Sequence, residues 1–200
     1  MNLADASRAL RFRFSEAPNG SRDRRGAFPP LTAGVLAVGA VGLAALAAAM
    51  VESPRTDRGT ERWYRNLEKP AATPPDFVFG IVWPAIEATL AYSGFRLLSK
   101  PSTHTRNGAL AFLGFNLANI PGYTKLFFGE RNLKAASADS LALLVSSWSY
   151  VAATWRTDRT AALAGLPLAV WVTFANYLQG EILRKNDPDV RQLAARMAGV

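Results

Sequence analysis

Aromatic side chains are the richest chemical vocabulary in this 200-residue chain. Tryptophans stand at Trp63, Trp83, Trp148, Trp155 and Trp171, cysteine is absent, and His104 is the one histidine. That set excludes thiolate nucleophiles, disulfides and cysteine-based or multi-histidine metal sites. No GxGxxG, GxxxxGK[ST] or GxSxG pattern occurs, so phosphate-cradling loops and a nucleophile elbow are lacking as well. The chemistry that remains is that of indole and phenol faces, which stack on a flat apolar ligand or pack in a core. For Trp83, beside Pro84, and Trp171, after Pro167, both uses stay open.

Glu87 is the sharpest polar oddity, the one charge in an otherwise apolar run over residues 77–95. A carboxylate at mid-span is costly and faces the bundle interior, where Lys125, Asn119, Asn176 or Gln179 would partner it. Two readings stand: a polar contact inside a ligand pocket, or a buried structural pair. Pro84, Pro121 and Pro167 each remove a helical hydrogen bond. Three kinked helices around a common axis would leave space for a ligand.

The elements that position these residues are marked by where charge is missing. Residues 29–51, 107–124, 140–155 and 160–180 carry none, and 77–95 carries only Glu87. A bilayer core about 30 Å thick needs roughly 20 residues of helix. The first and last segments reach that length. The third and fourth do so only if their helices run past Lys125 and Asp139. A soluble helix needs a polar face, and residues 29–51 have none. The expected fold is therefore an all-α integral membrane protein, a five-transmembrane-helix bundle over residues 29–186. A basic tail (1–28) precedes it and a charged tail (187–200) follows. The arginines of the first tail fit either an organellar transit segment or a disordered extension touching anionic lipid. The expected location is a bacterial envelope, or a mitochondrial or plastid membrane if the tail is a transit peptide. Net charge is +8, but the basic residues are dispersed without an aromatic-lined stripe, so nucleic acid is not an expected partner.

The loop before the second span joins these threads. Residues 63–83 read WYRNLEKPAATPPDFVFGIVW: an aromatic pair, then prolines, then an apolar run. Pro74-Pro75 predicts a helix start, since a proline in the first turn loses no hydrogen bond. Trp and Tyr beside an apolar run predict anchoring at a membrane–water boundary.

Together these segments resemble the TspO/MBR family, the tryptophan-rich sensory proteins related to the translocator protein (peripheral benzodiazepine receptor). The likeness rests on three blocks in order. The first is Trp63-Tyr64, Leu67, Lys69-Pro70, Pro74-Pro75, Phe79-Gly80 and Val82-Trp83. The second is Leu126-Phe127-Phe128-Gly129 with Asp139. The third is Pro167, Trp171, Phe174-Ala175, Leu178 and Asn186. The resemblance implies a five-helix bundle, often a homodimer, with a pocket under the first loop that takes protoporphyrin IX, haem or another apolar small molecule. The implied role is sensing, transport or regulation in porphyrin metabolism, with no cofactor required. Alternatives are light-dependent porphyrin degradation through Trp63 and Trp171, or a lipid or sterol carrier. Carried over by position, Trp63 and Trp171 would be the pocket tryptophans, with Ala175 and Leu178 on the wall below Trp171.

Several pocket positions depart from the family pattern. Glu87 stands where the family has Tyr, Tyr123 replaces a Trp, Gln179 replaces an Asn, and Asn119 is one residue out of register. The expected ligand-binding set is therefore Trp63, Trp83, Glu87, Tyr123, Trp171, Ala175, Leu178 and Gln179. Arg62, Arg65 or Lys69 would meet ligand carboxylates. With no cysteine or pocket histidine to ligate iron, metal-free porphyrin suits the site better than haem. The Leu/Val–Tyr–Lys/Arg sterol motif fails at Tyr177, because Arg184 lies beyond the permitted gap.

Overall fold

The computed structural model describes residues 25–51 and 56–197. The expectation for the basic tail falls largely on residues 1–24, outside that description. Among the described residues there are seven α-helices: α1 (Pro30–Ala49), α2 (Arg58–Asn66), α3 (Asp76–Leu98), α4 (His104–Thr124), α5 (Leu133–Trp155), α6 (Arg159–Asn186) and α7 (Pro188–Met197). A π-helical turn, Lys125–Gly129, joins α4 to the loop before α5.

Local chemistry accounts for the boundaries. Pro75 precedes α3 as its N-cap, as the Pro-Pro signal predicts. Thr103, Asn132 and Asp158 cap α4, α5 and α6 by accepting from the amides of Arg106 (3.1 Å), Ala135 (3.0 Å) and Ala161 (3.0 Å). These side chains satisfy amides that the first helical turn leaves orphaned.

Among the described residues, five helices run 20 residues or more, but only α1, α3 and α6 are both long and apolar enough to cross a bilayer. The expectation of five spans meets its limit in α4 and α5. Helix α4 holds Arg106, Asn116 and Asn119, and α5 holds Lys134, Asp139 and a set of serines. That polar load lowers their hydropathy without shortening them.

Helix α1 shows how the bundle meets an apolar surround. Its buried stripe, Ala33, Ala37, Val41 and Ala44, is built of small residues at helical spacing. Leu31, Val35, Val38 and Leu43 on the other faces are exposed. An apolar surface of this extent calls for a membrane rather than water. Small residues also let the backbones approach: a Cβ on Gly94 of α3 would lie 3.1 Å from Leu113 of α4 and 3.6 Å from Ala37 of α1.

The core crosses α1 and α3–α6, with Leu90, Leu97, Tyr150 and Leu168 almost wholly buried. One polar chain runs through it. The Tyr150 hydroxyl donates to Ser93 Oγ at 2.5 Å, and Ser93 donates to the Ala161 carbonyl at 2.7 Å, tying α3, α5 and α6. At the far end from the first loop, Asp158 is a charged knot. Arg96 reaches it at 2.8 Å and Lys100 at 3.3 Å, and its side chain is 3% exposed. Burial pushes the Asp158 carboxyl up, but Arg96, the Ala161 amide and Lys100 together outweigh burial and hold it at about 2.

Candidate functional site

The loop-1 end of the bundle carries two aromatic groupings. Helix α2 is short and amphipathic: Trp63, Tyr64 and, just past its end, Leu67 face inward, while Arg62 and Arg65 face out. Asp57 caps it by accepting from the Thr60 amide at 2.5 Å. That amide bond, chiefly, holds the Asp57 carboxyl below its ordinary range.

The inward face of α2 packs on Phe127, which the π-turn presents and which is 3% exposed. Trp63 meets Phe127 edge-on at 5.4 Å, Tyr64 meets Phe128 at 5.7 Å, and Tyr123 stacks on Phe127 at 5.6 Å. A π-turn adds one residue to the helical circuit, and such turns recur at functional sites. Here the turn closes with the Glu130 amide donating to Lys125 O at 2.8 Å.

The loop is strapped to the end of α6. The Glu68 amide donates to Asn186 Oδ1 at 2.9 Å, and Asn186 Nδ2 returns a bond to Glu68 O at 3.0 Å. The Lys69 ammonium donates to Tyr64 O at 2.5 Å and sits 4.0 Å over the Tyr64 ring. Burial lowers its pKa. Arg65 pairs with Glu61 at 2.7 Å. Of the three cations expected to meet ligand carboxylates, only the exposed Arg62 has no such partner among the described residues.

Trp171 belongs elsewhere, in the main core, between Phe79 at 5.6 Å and Phe174 at 5.7 Å. It lines an apolar groove of about 560 Å³ between α3 and α6, together with Ile81, Ala85, Ile86, Pro167 and Phe174. The groove's lining has almost no polar surface, with Thr89 its one polar residue. Trp83 packs against the same core. The structure thus gathers Trp83 and Trp171 on one cluster and sets Trp63 on the other. Ala175 and Leu178 share a face of α6 with Trp171 by their four- and seven-residue spacing, but neither borders the groove. Of the three expected kinks, Pro167 lines it and Pro84 does not.

The remaining expected residues form a polar seam instead of a pocket wall. Tyr123 donates to Gln179 Oε1 at 2.8 Å, and Gln179 Nε2 donates to Ser137 Oγ at 3.0 Å. Asn119 Nδ2 donates to Asp139 Oδ1 at 2.8 Å, and Asn176 Nδ2 donates to Ser140 O at 2.8 Å. Lys125 lies 3.6 Å from Glu130. Every partner named for Glu87 is therefore engaged elsewhere, so the buried structural pair does not form. Glu87 is half-buried, and among the described residues no hydrogen bond or ion pair reaches it. Nor do three His, Cys, Asp or Glu side chains converge there in a set able to hold a metal ion.

Sequence reasoning missed Phe79, Ile81 and Phe174 as partners of Trp171, because helix faces are readable but their mutual rotation is not. It also missed Arg131, which sits in the loop before α5 with φ 54°. The Asp158 knot had a readable signal, an Asp just before an apolar helical run.

Comparison with known proteins bears on this architecture. Residues 37–184 match the TspO/MBR family. The chain is 31% identical over 130 residues to the tryptophan-rich sensory protein of Cereibacter sphaeroides, covering 63% of this chain and 78% of that one. It is also 31% identical over 130 residues to protein CrtK of Rhodobacter capsulatus (62% and 78% covered). Against the human translocator protein it is 26% identical over 128 residues (62% and 75% covered).

Proposed function

The chain belongs to the TspO/MBR family of membrane proteins, and from that premise we propose that it crosses the bilayer five times and binds a tetrapyrrole. Protoporphyrin IX is the preferred ligand and haem the second, held in the groove between α3 and α6. The role is sensing, transport or regulation in porphyrin metabolism. Helices α4 and α5 count as spans because both are long enough and both bury their polar side chains against neighbours.

The observation that carries the ligand reading is the groove itself. Its volume of about 560 Å³ suits a small-molecule site, and its lining is apolar with Trp171 in the wall. A porphyrin is a flat, mostly apolar disc, and an indole beside it gains both burial and ring contact. No histidine or cysteine borders the groove, which favours the metal-free ring. With Trp63 and Trp171 on separate clusters, photochemistry through both on one ligand is not proposed.

The test is a titration of the purified full chain in neutral detergent with protoporphyrin IX, read by tryptophan fluorescence. Saturable quenching is expected, and Trp171→Phe should weaken binding by roughly two- to tenfold, the worth of one aromatic contact. Absence of saturable quenching, or an unchanged affinity in the variant, defeats the reading. A lipid or sterol copurifying in the groove would favour the carrier alternative.

A further inference from the structure

A second cavity, of about 610 Å³, lies at the loop-1 end, between α2, the loop after the π-turn, the start of α5 and the end of α6. Trp63, Asn66, Arg131, Asn132 and Lys134 are among its lining residues. Most of its charges are already matched. Lys134 is held by Asp189 at 2.7 Å and Asp187 at 3.4 Å, and Glu130 faces Lys125 at 3.6 Å. Arg131 is the lining cation left over, since no carboxylate among the described residues reaches ion-pair distance of it. The nearby acid, Asp57, caps α2 and attracts Arg131 only from beyond ion-pair distance.

The backbone at Arg131 sharpens the point. With φ 54°, it is the one non-glycine residue with positive φ among those described. Glycine is the default in that conformation, and a residue with a Cβ persists there only where the surroundings require it. The protein contacts of this guanidinium are weak. Nη2 meets Thr60 Oγ1 at 3.4 Å, near the limit of a hydrogen bond, and the group lies 5.9 Å from the Trp63 ring centroid. Beside it, the Asn66 side chain and the Asn132 side-chain nitrogen make no hydrogen bond among the described residues, while Asn132 Oδ1 serves as the α5 cap. An exposed guanidinium fork with no ion pair among the described residues, flanked by two amide donors and set against an indole wall, is suited to a tetrahedral oxyanion.

We propose that Arg131 anchors a binding site for a phosphate group, carried by a lipid headgroup or free in water. The site is separate from the α3–α6 groove and does not rest on the tetrapyrrole reading. Arg131→Gly is the informative variant, because it deletes the fork while suiting the backbone conformation. The full chain in neutral detergent would be titrated with inorganic phosphate by calorimetry. In parallel it would be loaded with phosphatidylglycerol or phosphatidylcholine in mixed micelles, with retained lipid read by native mass spectrometry. Binding of inorganic phosphate, or selective retention of phosphatidylglycerol, is expected and tells the two sources apart. In either arm Arg131→Gly should weaken binding at least tenfold, as for a lost charge-assisted hydrogen bond, without lowering thermal stability. Arg131→Lys, which keeps charge without the fork, should lose less. If neither probe binds, or if Arg131→Gly binds as the unaltered chain does, the proposal is overturned.

Discussion

Replacing Asp158 by Asn tests whether the charged knot between α3 and α6 stabilises the bundle by charge or only by capping. The carboxyl is held at about 2 against an ordinary 3.8. At about 1.36 kcal/mol per pH unit, that depression corresponds to about 2 kcal/mol of folded-state stability. Because the folded-state value is the lower one, the contribution is present in full above the ordinary carboxylate value. It disappears as pH falls through about 2. Asn is as good an N-cap as Asp, so Asp158→Asn should keep the bond from the Ala161 amide and lose only the charge. The loss at neutral pH should be about 2 kcal/mol, or roughly 4–8 °C in Tm for a chain of this size. Asp158→Ala removes the cap too and should lose about 1 kcal/mol more. Thermal unfolding in neutral detergent, followed by circular dichroism across a pH series, gives the answer. The gap between the unaltered chain and Asp158→Asn should close as the medium is acidified. A gap that stays constant with pH refutes the carboxylate as its source. No gap at neutral pH would show that Arg96 and Lys100, 30% and 43% exposed, contribute no more than ordinary surface pairs.

Three further variants probe packing and the first loop. A Cβ on Gly165 would lie 2.8 Å from Tyr150 Cε1, and Tyr150 is fully buried and hydrogen-bonded. Gly165→Ala should therefore destabilise by about 1–3 kcal/mol. Gly180→Ala, which meets no atom within 4 Å, should be neutral or stabilising; equal unfolding temperatures for the two would contradict the close approach of α5 and α6. Asn186→Ala removes both bonds of the Glu68 strap, worth about 2 kcal/mol together. Tryptic cleavage at Arg62 or Arg65 should then speed up roughly 30-fold with the bundle's Tm little changed, and an unaltered cleavage rate counts against the strap.

What the chain disclosed in advance follows its local physics. Pro74-Pro75 marks the start of α3, and the charge-free run 29–51 marks α1, because helix starts and apolar runs are properties of neighbouring residues. Family membership was legible from the three blocks. The site was less so. Trp63 and Trp171 belong to one sequence pattern yet sit on different clusters, because their separation depends on how α2 and α6 are rotated about their axes. The partners of Glu87 were inferred from polarity alone, and each makes its bond elsewhere. Arg131 gave no sign, since a lone arginine in a turn says nothing of its φ.

The strap between Glu68 and Asn186 joins residues 118 positions apart. A chain made from its N-terminus therefore exposes the first loop long before its fastening residue exists. Trp63 must wait for Phe127, and Glu68 must wait for the last turn of α6. The loop thus reports on completion: in a truncated or half-inserted chain it hangs open to proteases and quality-control machinery, and it closes only when the final long helix is in place.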